Sequence, residues 1–107
     1  MNKNNNKTIL VVEDEPSYKH TLVEKLKIEG FTVFSAKDGE EGLSVAFEQH
    51  PDLILLDLQM PKMDGIEMAK KLRQDMWGKT VKVIVLTNIF DITKTQQVIE
   101  NEIFVYL

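Results

Sequence analysis

The chain of 107 residues contains no cysteine, and this absence excludes several classes of protein at once. Without thiols there can be no disulfide, thiolate metal centre or cysteine nucleophile. Its apolar runs are far shorter than a membrane span, and its polar start, MNKNNNKT, is unlike a signal peptide. The net charge is −4, but neither sign of charge forms a block, so no nucleic-acid patch is indicated. We therefore expect a cytoplasmic protein that binds neither membrane nor nucleic acid directly.

Length and composition predict a single domain. The chain is 43% hydrophobic, enough for one core, and no linker or internal repeat divides it. Residues 1–7, which are rich in Asn, predict a disordered tail before a domain over residues 8–107. Two smaller features are interpreted as structural: HP at 50–51 as a helix end and WG at 77–78 as a loop.

Five short β-branched or aliphatic runs alternate with segments long enough for helices, which predicts βαβ units and a parallel sheet. The runs are TILVVE (8–13), FTVFSA (31–36), DLILLD (52–57), VKVIVLT (81–87) and IFVYL (103–107). The second run alternates, as expected of a strand near a sheet edge. The first, third and fourth are apolar nearly throughout, which predicts central strands covered on both faces.

The intervening segments carry helix signals. Pro16 suits a first helical turn and Gly30 a C-terminal stop, so a helix is predicted between them. Capping-box spacing predicts further helices that begin at Asp38 and at Asp64. A fourth helix is predicted over residues 91–101.

Oxygen-bearing side chains stand at the ends of three predicted strands. Glu13 and Asp14 follow the first, Asp57 ends the third, and Thr87 ends the fourth. Ligands of open parallel α/β sheets bind beyond the carboxyl ends of the strands, so we expect these side chains to face one crevice. Each residue taken alone also has a structural explanation, since Asp caps helices and Thr is common in strands.

Carboxylates brought together in this way would repel one another. Two unit charges about 4 Å apart cost roughly 4 kcal/mol at an effective dielectric near 20, and a cation would relieve that repulsion. Oxygen ligands without Cys or a nearby His suit Mg²⁺ better than Zn²⁺. A carboxylate beside Mg²⁺ can be a nucleophile toward phosphorus. Asp57 is the better candidate because it stands alone on an apolar strand, with Asp14 as metal ligand and Glu13 beside it.

The motifs VVEDEP, LLDLQMPKMDG, VIVLT and VYL, in this order and spacing, resemble the receiver domain of bacterial two-component response regulators. The resemblance covers residues 8–107 and implies a flavodoxin-like, doubly wound α/β fold with a five-stranded parallel sheet in the order 2-1-3-4-5. It implies that Asp57 accepts a phosphoryl group from the phosphohistidine of a sensor histidine kinase or phosphotransfer protein. By position, Asp14, Asp57 and the backbone carbonyl of Gln59 would bind Mg²⁺ directly. Glu13 would act through water.

The same resemblance assigns a switch. Thr87 would hydrogen-bond the phosphoryl group and move inward, and Tyr106 would be the aromatic residue that changes rotamer with it. A packed strand aromatic is an equally simple interpretation of Tyr106.

The resemblance also implies features that fall beyond Leu107: a lysine three residues past the switch aromatic, and a fifth helix. We therefore expect a truncated receiver domain whose natural protein continues into an output domain. An uncovered sheet face would favour a homodimer or a swapped oligomer.

Two alternatives are weighed against phosphoacceptance. The missing lysine, and Asn88 where the family has a small residue, leave open a phosphate-independent receiver-like interaction module. A phosphatase with an Asp nucleophile would want an acid/base Asp two residues further on, where this chain has Gln59. We therefore expect a signalling domain that promotes only its own phosphorylation and dephosphorylation, not an enzyme.

Overall fold

The computed structural model describes residues 7–57, 65–86 and 104–106. Their elements are β1 (Thr8–Val12), α1 (Pro16–Ile28), β2 (Thr32–Ala36), α2 (Gly39–Gln49), β3 (Leu53–Asp57), α3 (Gly65–Arg73), β4 (Lys82–Leu86) and β5 (Phe104–Tyr106). The predicted strands and the starts of the first two helices are confirmed to within one residue. The third predicted helix is present over Gly65–Arg73, but its predicted start at Asp64 lies outside the described residues. The fourth predicted helix, over residues 91–101, lies outside the described residues.

The five strands form one parallel sheet in the order β2-β1-β3-β4-β5. This is the predicted order of a doubly wound, flavodoxin-like sheet, and β2 lies at its edge as its alternating sequence indicated. No helix among the described residues is long and apolar enough to cross a membrane.

Helices α2 and α3 pack on one face of the sheet and enclose the main core. Its fully buried side chains come from every second strand position and from both helices: Leu10, Val12, Ala46, Ile54, Leu56, Met68, Leu72, Val83 and Val85. Gly42 lets α2 approach closely, because a Cβ there would lie 3.0 Å from Val12 Cγ2 and 3.1 Å from the end of the Met68 side chain.

The opposite face of the sheet is less fully covered by the described residues. β1 is buried on both faces, but β3 alternates buried with half-buried positions, and Ile84 of β4 is also half-buried. On this face α1 contacts β1 and β2. No residue of α1 is itself buried, and its apolar stripe residues Leu22 and Leu26 are half-buried.

Both ends of α1 are fixed by local hydrogen bonds. The Glu15 carboxylate accepts the backbone N–H groups of Ser17 and Tyr18, at 3.2 and 2.6 Å, and Pro16 follows as the first helical residue. At the other end Gly30 adopts φ 98°, and its N–H donates to the Lys27 carbonyl at 3.0 Å. This left-handed glycine stop is the one that the sequence predicted.

Helix α2 begins at the predicted Asp38 cap. The Asp38 carboxylate accepts the Glu41 N–H at 2.8 Å. The Glu41 carboxylate reaches back to the N–H of Lys37, at 3.3 Å, rather than to that of Asp38 as in a standard capping box. The paired bonds direct the chain from β2 into α2.

Candidate metal centre

Three carboxylates converge at the C-terminal edge of the sheet. Glu13 and Asp14 follow β1, Asp57 ends β3, and oxygen atoms from all three lie within 4.8 Å of one another. The register explains the convergence, because Val12 pairs with Leu56 and the next residue of each strand is Glu13 or Asp57. The structure therefore brings together the three acidic residues that the sequence placed in one crevice.

Glu13 is the buried member of this cluster, with 5% of its surface exposed. Its backbone N–H donates to the Ala36 carbonyl at 3.0 Å, which continues the pairing of β1 with β2 by one residue. Burial, then a carboxyl-carboxyl hydrogen bond with Asp57 and the charge of Asp57, raise the pKa of Glu13 to about 7. The N–H of Glu15, which donates to Glu13 Oε1 at 3.3 Å, acts in the opposite direction. Glu13 thus holds its proton more readily than a solvent-exposed carboxyl group would.

Asp57 and Asp14 are half-buried, so both are accessible from solvent. Asp57 is held by the strand that precedes it: Leu56 is 1% exposed, and Asp57 itself pairs with Leu86 of β4. A carboxylate mounted on a buried central strand has little freedom to move away from a ligand, while its exposed side leaves room for a reactant.

Glu15 belongs to the same acidic run but not to the site. Its two carboxylate oxygens accept hydrogen bonds from N–H groups at the start of α1, so Glu15 caps the helix and does not belong to the cluster. The structural explanation considered for strand-terminal acids therefore applies to Glu15, while Glu13 and Asp14 are available for another purpose. The sequence gives no simple signal that separates the three.

The cluster fits a hard divalent cation. Mg²⁺ binds oxygen at about 2.0–2.1 Å, so its neighbouring ligand atoms lie about 3 Å apart and opposite ones about 4 Å apart. Carboxylate oxygens already within 4.8 Å need only small shifts to reach such an arrangement. A cation would also compete with the proton of Glu13 and offset the repulsion among the three carboxylates.

The remaining predicted site residues are placed only in part. Gln59 and Thr87 lie outside the described residues. The backbone of Tyr106 lies in β5, paired with Leu86, which in turn pairs with Asp57, so all three lie at one level of the sheet. The predicted switch role of the Tyr106 side chain stays a prediction.

Fold and site together define a doubly wound α/β domain with an acidic pocket at the carboxyl edge of its sheet. The family model of the response regulator receiver domain matches residues 9–107. The chain belongs to this family of two-component signalling domains.

Named relatives agree with this membership. The chain is 44% identical over 85 residues to a probable transcriptional regulator ycf27 of Porphyridium aerugineum, covering 79% of this chain and 34% of that protein. It is 52% identical over 69 residues to the alkaline phosphatase synthesis transcriptional regulatory protein PhoP of Bacillus subtilis, covering 64% of this chain and 29% of that protein. The chain thus spans about a third of the length of these relatives.

Solved structures share the fold. The chemotaxis protein CheY4 of Vibrio cholerae superposes with a TM-score of 0.87 at 29% identity, covering 94% of this chain and 84% of that one. The response regulator TrrA of Thermotoga maritima, solved in complex with Mg²⁺ and BeF, gives a TM-score of 0.80 at 34% identity, with 94% and 86% covered.

Proposed function

We propose that this chain is a phosphoacceptor domain in which Asp57 receives a phosphoryl group from the phosphohistidine of a sensor histidine kinase or phosphotransfer protein. The observation that carries the proposal is the convergence of Glu13, Asp14 and Asp57 within 4.8 Å at the edge where ligands of such sheets bind. The domain would comprise residues 8–107 and act in the cytoplasm.

The transfer step requires little from the protein beyond position and charge. An oxygen of Asp57 forms the new P–O bond as the P–N bond of the phosphohistidine breaks, and the released imidazole nitrogen takes up a proton. Bound Mg²⁺ would neutralise the oxygens of the transferring group. Asp57 is suited to the attack because β3 fixes its backbone and its side chain is half-exposed.

The other residues of the site hold the metal or respond to the phosphoryl group. Asp14 and Asp57 would bind Mg²⁺ directly together with the carbonyl of Gln59, and Glu13 would act through water. The burial of Glu13 supports an indirect role, because a residue deep behind the cluster orients water and its neighbours. Thr87 would hydrogen-bond the phosphoryl oxygens and move inward. The side chain of Tyr106 would change rotamer as Thr87 moves.

The chain would promote its own phosphorylation and dephosphorylation and would not turn over external substrates. A phosphate-independent interaction module is less well supported. All three acidic residues are present, and a solved relative with 34% identity binds Mg²⁺ and BeF.

The test is phosphorylation of the purified chain by acetyl phosphate with Mg²⁺, followed by mass spectrometry. We expect one added phosphoryl group on the wild type and none on Asp57→Asn, which keeps the shape of the side chain. Glu48→Gln, an exposed change on α2, is the matched control and should be phosphorylated normally. Modification that persists in Asp57→Asn would refute the assignment of Asp57. Absence of modification in a folded wild type that binds Mg²⁺ would favour the interaction module.

A further inference from the structure

A second concave site lies at the opposite edge of the sheet from the acidic cluster. This basal groove has a volume of about 490 Å³, within the range of ligand pockets, and it is floored by Pro51, Trp77 and Val81. Pro51 and Val81 are buried and Trp77 packs against the core, so the floor is apolar and firmly supported. The groove adjoins the start of β3 and the acidic cluster its end, which places them about 15 Å apart.

Aromatic contacts hold one wall of the groove in place. The imidazole of His50 stacks on the indole of Trp77, with ring centroids 4.3 Å apart and planes 9° from parallel. Phe47 meets the same indole edge-on at 6.4 Å. His50 is the C-terminal cap of α2 and adopts a left-handed backbone at φ 46°, so the helix end itself aims the imidazole at the indole. The indole is thus covered by protein aromatics, and the groove offers a ligand mainly its polar rim, with a smaller apolar area on its floor.

The loop that carries Trp77 is fixed by its own hydrogen bonds. The Arg73 guanidinium donates to the carbonyls of Gly78 and Val81, at 2.6 and 2.8 Å. The Asp75 carboxylate accepts the N–H groups of Trp77 and Gly78, both at 3.0 Å. A groove wall tied down at this many points changes little on binding, which lowers the entropic cost of docking.

The charge of the groove is opposite to that of the chain. Lys7 and Lys82 stand exposed at its rim, although the whole chain carries −4. Within the described residues neither lysine forms an ion pair. Asp52 also lines the groove, but its Oδ2 accepts both the N–H and the hydroxyl of Thr8, at 2.8 and 3.1 Å. The carboxylate is therefore hydrogen-bonded within the fold, and its single negative charge, which interacts with Lys7, offsets only part of the positive charge of the two lysines.

The geometry points to docking of an acidic peptide segment of a partner protein in the basal groove. Carboxylates would pair with Lys7 and Lys82, and an apolar side chain between them would lie on the aliphatic floor. The rim is exposed on all sides, so the groove would leave much of a small metabolite in water, whereas an extended peptide can cover it. This inference does not depend on the proposed function, because no residue of the acidic cluster contributes to the groove.

Trp77 is the only tryptophan in the chain and provides the readout. A blocked pentapeptide alternating glutamate with leucine is titrated into the full chain at about 10 mM salt, where screening is weak. We expect a saturable change in Trp77 fluorescence. Lys7→Glu combined with Lys82→Glu should weaken binding on the order of ten-fold or more, since two attractions become two repulsions. Lys25→Glu with Lys27→Glu makes the same charge change on α1 and should leave the affinity unchanged.

Further titrations identify what is recognised. The same peptide with glutamine in place of glutamate should bind at least several-fold more weakly, and glutarate alone should not saturate. The proposal is overturned if the acidic peptide gives no saturable change, if the groove variant binds as well as wild type, or if glutarate binds as tightly as the peptide. Phosphorylation of Asp57 by acetyl phosphate should be equal in the groove variant and in wild type. A failure of peptide docking can therefore be distinguished from a failure of phosphorylation at Asp57.

Discussion

The carboxylates of Glu13 and Asp57 lie within 4.8 Å of each other, although the two residues are 44 positions apart in the chain. The contact arises because β1 and β3 are parallel neighbours with Val12 opposite Leu56. The burial of Glu13 and the nearby charge of Asp57 favour the protonated form of Glu13, and a cation at the same place would compete with that proton. The stability of the fold should therefore depend on both pH and metal binding through Glu13 and Asp57.

The first prediction concerns stability without divalent metal. The pKa of Glu13 rises from 4.5 to about 7 on folding, so between these values the folded state binds more protons than the unfolded state. The free energy of unfolding should therefore fall as pH rises from about 5 to 8, by on the order of 1–3 kcal/mol. Urea denaturation in EDTA at several pH values measures it.

Glu13→Gln is the control for this pH dependence. Glutamine retains hydrogen bonding but cannot ionise, so the loss of stability between pH 5 and 8 should largely disappear. An equal fall with pH in this variant and in wild type would show that another group is responsible.

The second prediction concerns Mg²⁺, whose ligands must be ionised. Added Mg²⁺ should raise the melting temperature, and the increase should be larger at pH 8 than at pH 5, where the proton competes. At a concentration one hundred times its dissociation constant the ion adds about 2.7 kcal/mol. Asp14→Asn should remove most of this stabilisation, and the exposed change Glu48→Gln should not. An equal increase in melting temperature in Asp14→Asn would place the ion elsewhere.

The sequence predicted the sheet because its strands are short apolar runs with clear stops, and it predicted the site because Asp57 directly follows such a run. It could not show what each acidic side chain contacts, because the burial of Glu13 and the hydrogen bonds of Glu15 to the start of α1 depend on the fold. Nor could it predict the stack of His50 on Trp77, which depends on how α2 and the loop before β4 meet.

The third prediction concerns Asp52, which joins the starts of β1 and β3. Its Oδ2 accepts the N–H and hydroxyl of Thr8, and its own N–H donates to the Thr8 carbonyl at 2.9 Å. The Thr8 N–H in particular lowers the pKa of Asp52, so this stabilisation is present above pH 3.8 and is lost as the pH falls through the lower folded value. Asp52→Ala should lower the free energy of unfolding at pH 7 by about 1 kcal/mol, measured by urea denaturation.

A matched change tests whether the cost belongs to this contact. Thr8→Val removes only the hydroxyl partner, so it should cost less than Asp52→Ala, and the double variant should cost less than the sum of the two. Strict additivity would show that the two side chains do not stabilise the sheet together.

The fourth prediction compares two glycines that approach other parts of the chain. A Cβ on Gly78 would lie 2.0 Å from the backbone oxygen of Leu72, which cannot move without disturbing the end of α3. On Gly42 the Cβ would lie 3.0–3.1 Å from side-chain atoms of Val12 and Met68, and Met68 is flexible enough to yield. Gly78→Ala should therefore cost about 2–4 kcal/mol, whereas the gain in helix propensity should keep Gly42→Ala within about 1 kcal/mol of wild type.

Thermal denaturation measures the loss of stability in the two variants, and tryptophan emission shows whether the structural change is confined to the loop around Gly78. Because Gly78 adjoins Trp77, Gly78→Ala should also change the tryptophan emission of the folded protein, while Gly42→Ala should leave it unchanged. The fraction of Gly78→Ala that remains folded should still be phosphorylated on Asp57, since the loop altered by the substitution and the acidic cluster lie at opposite edges of the sheet. Equal destabilisation by the two substitutions would mean that the loop before β4 adapts freely, and the rigid groove wall inferred from its hydrogen bonds would then be wrong.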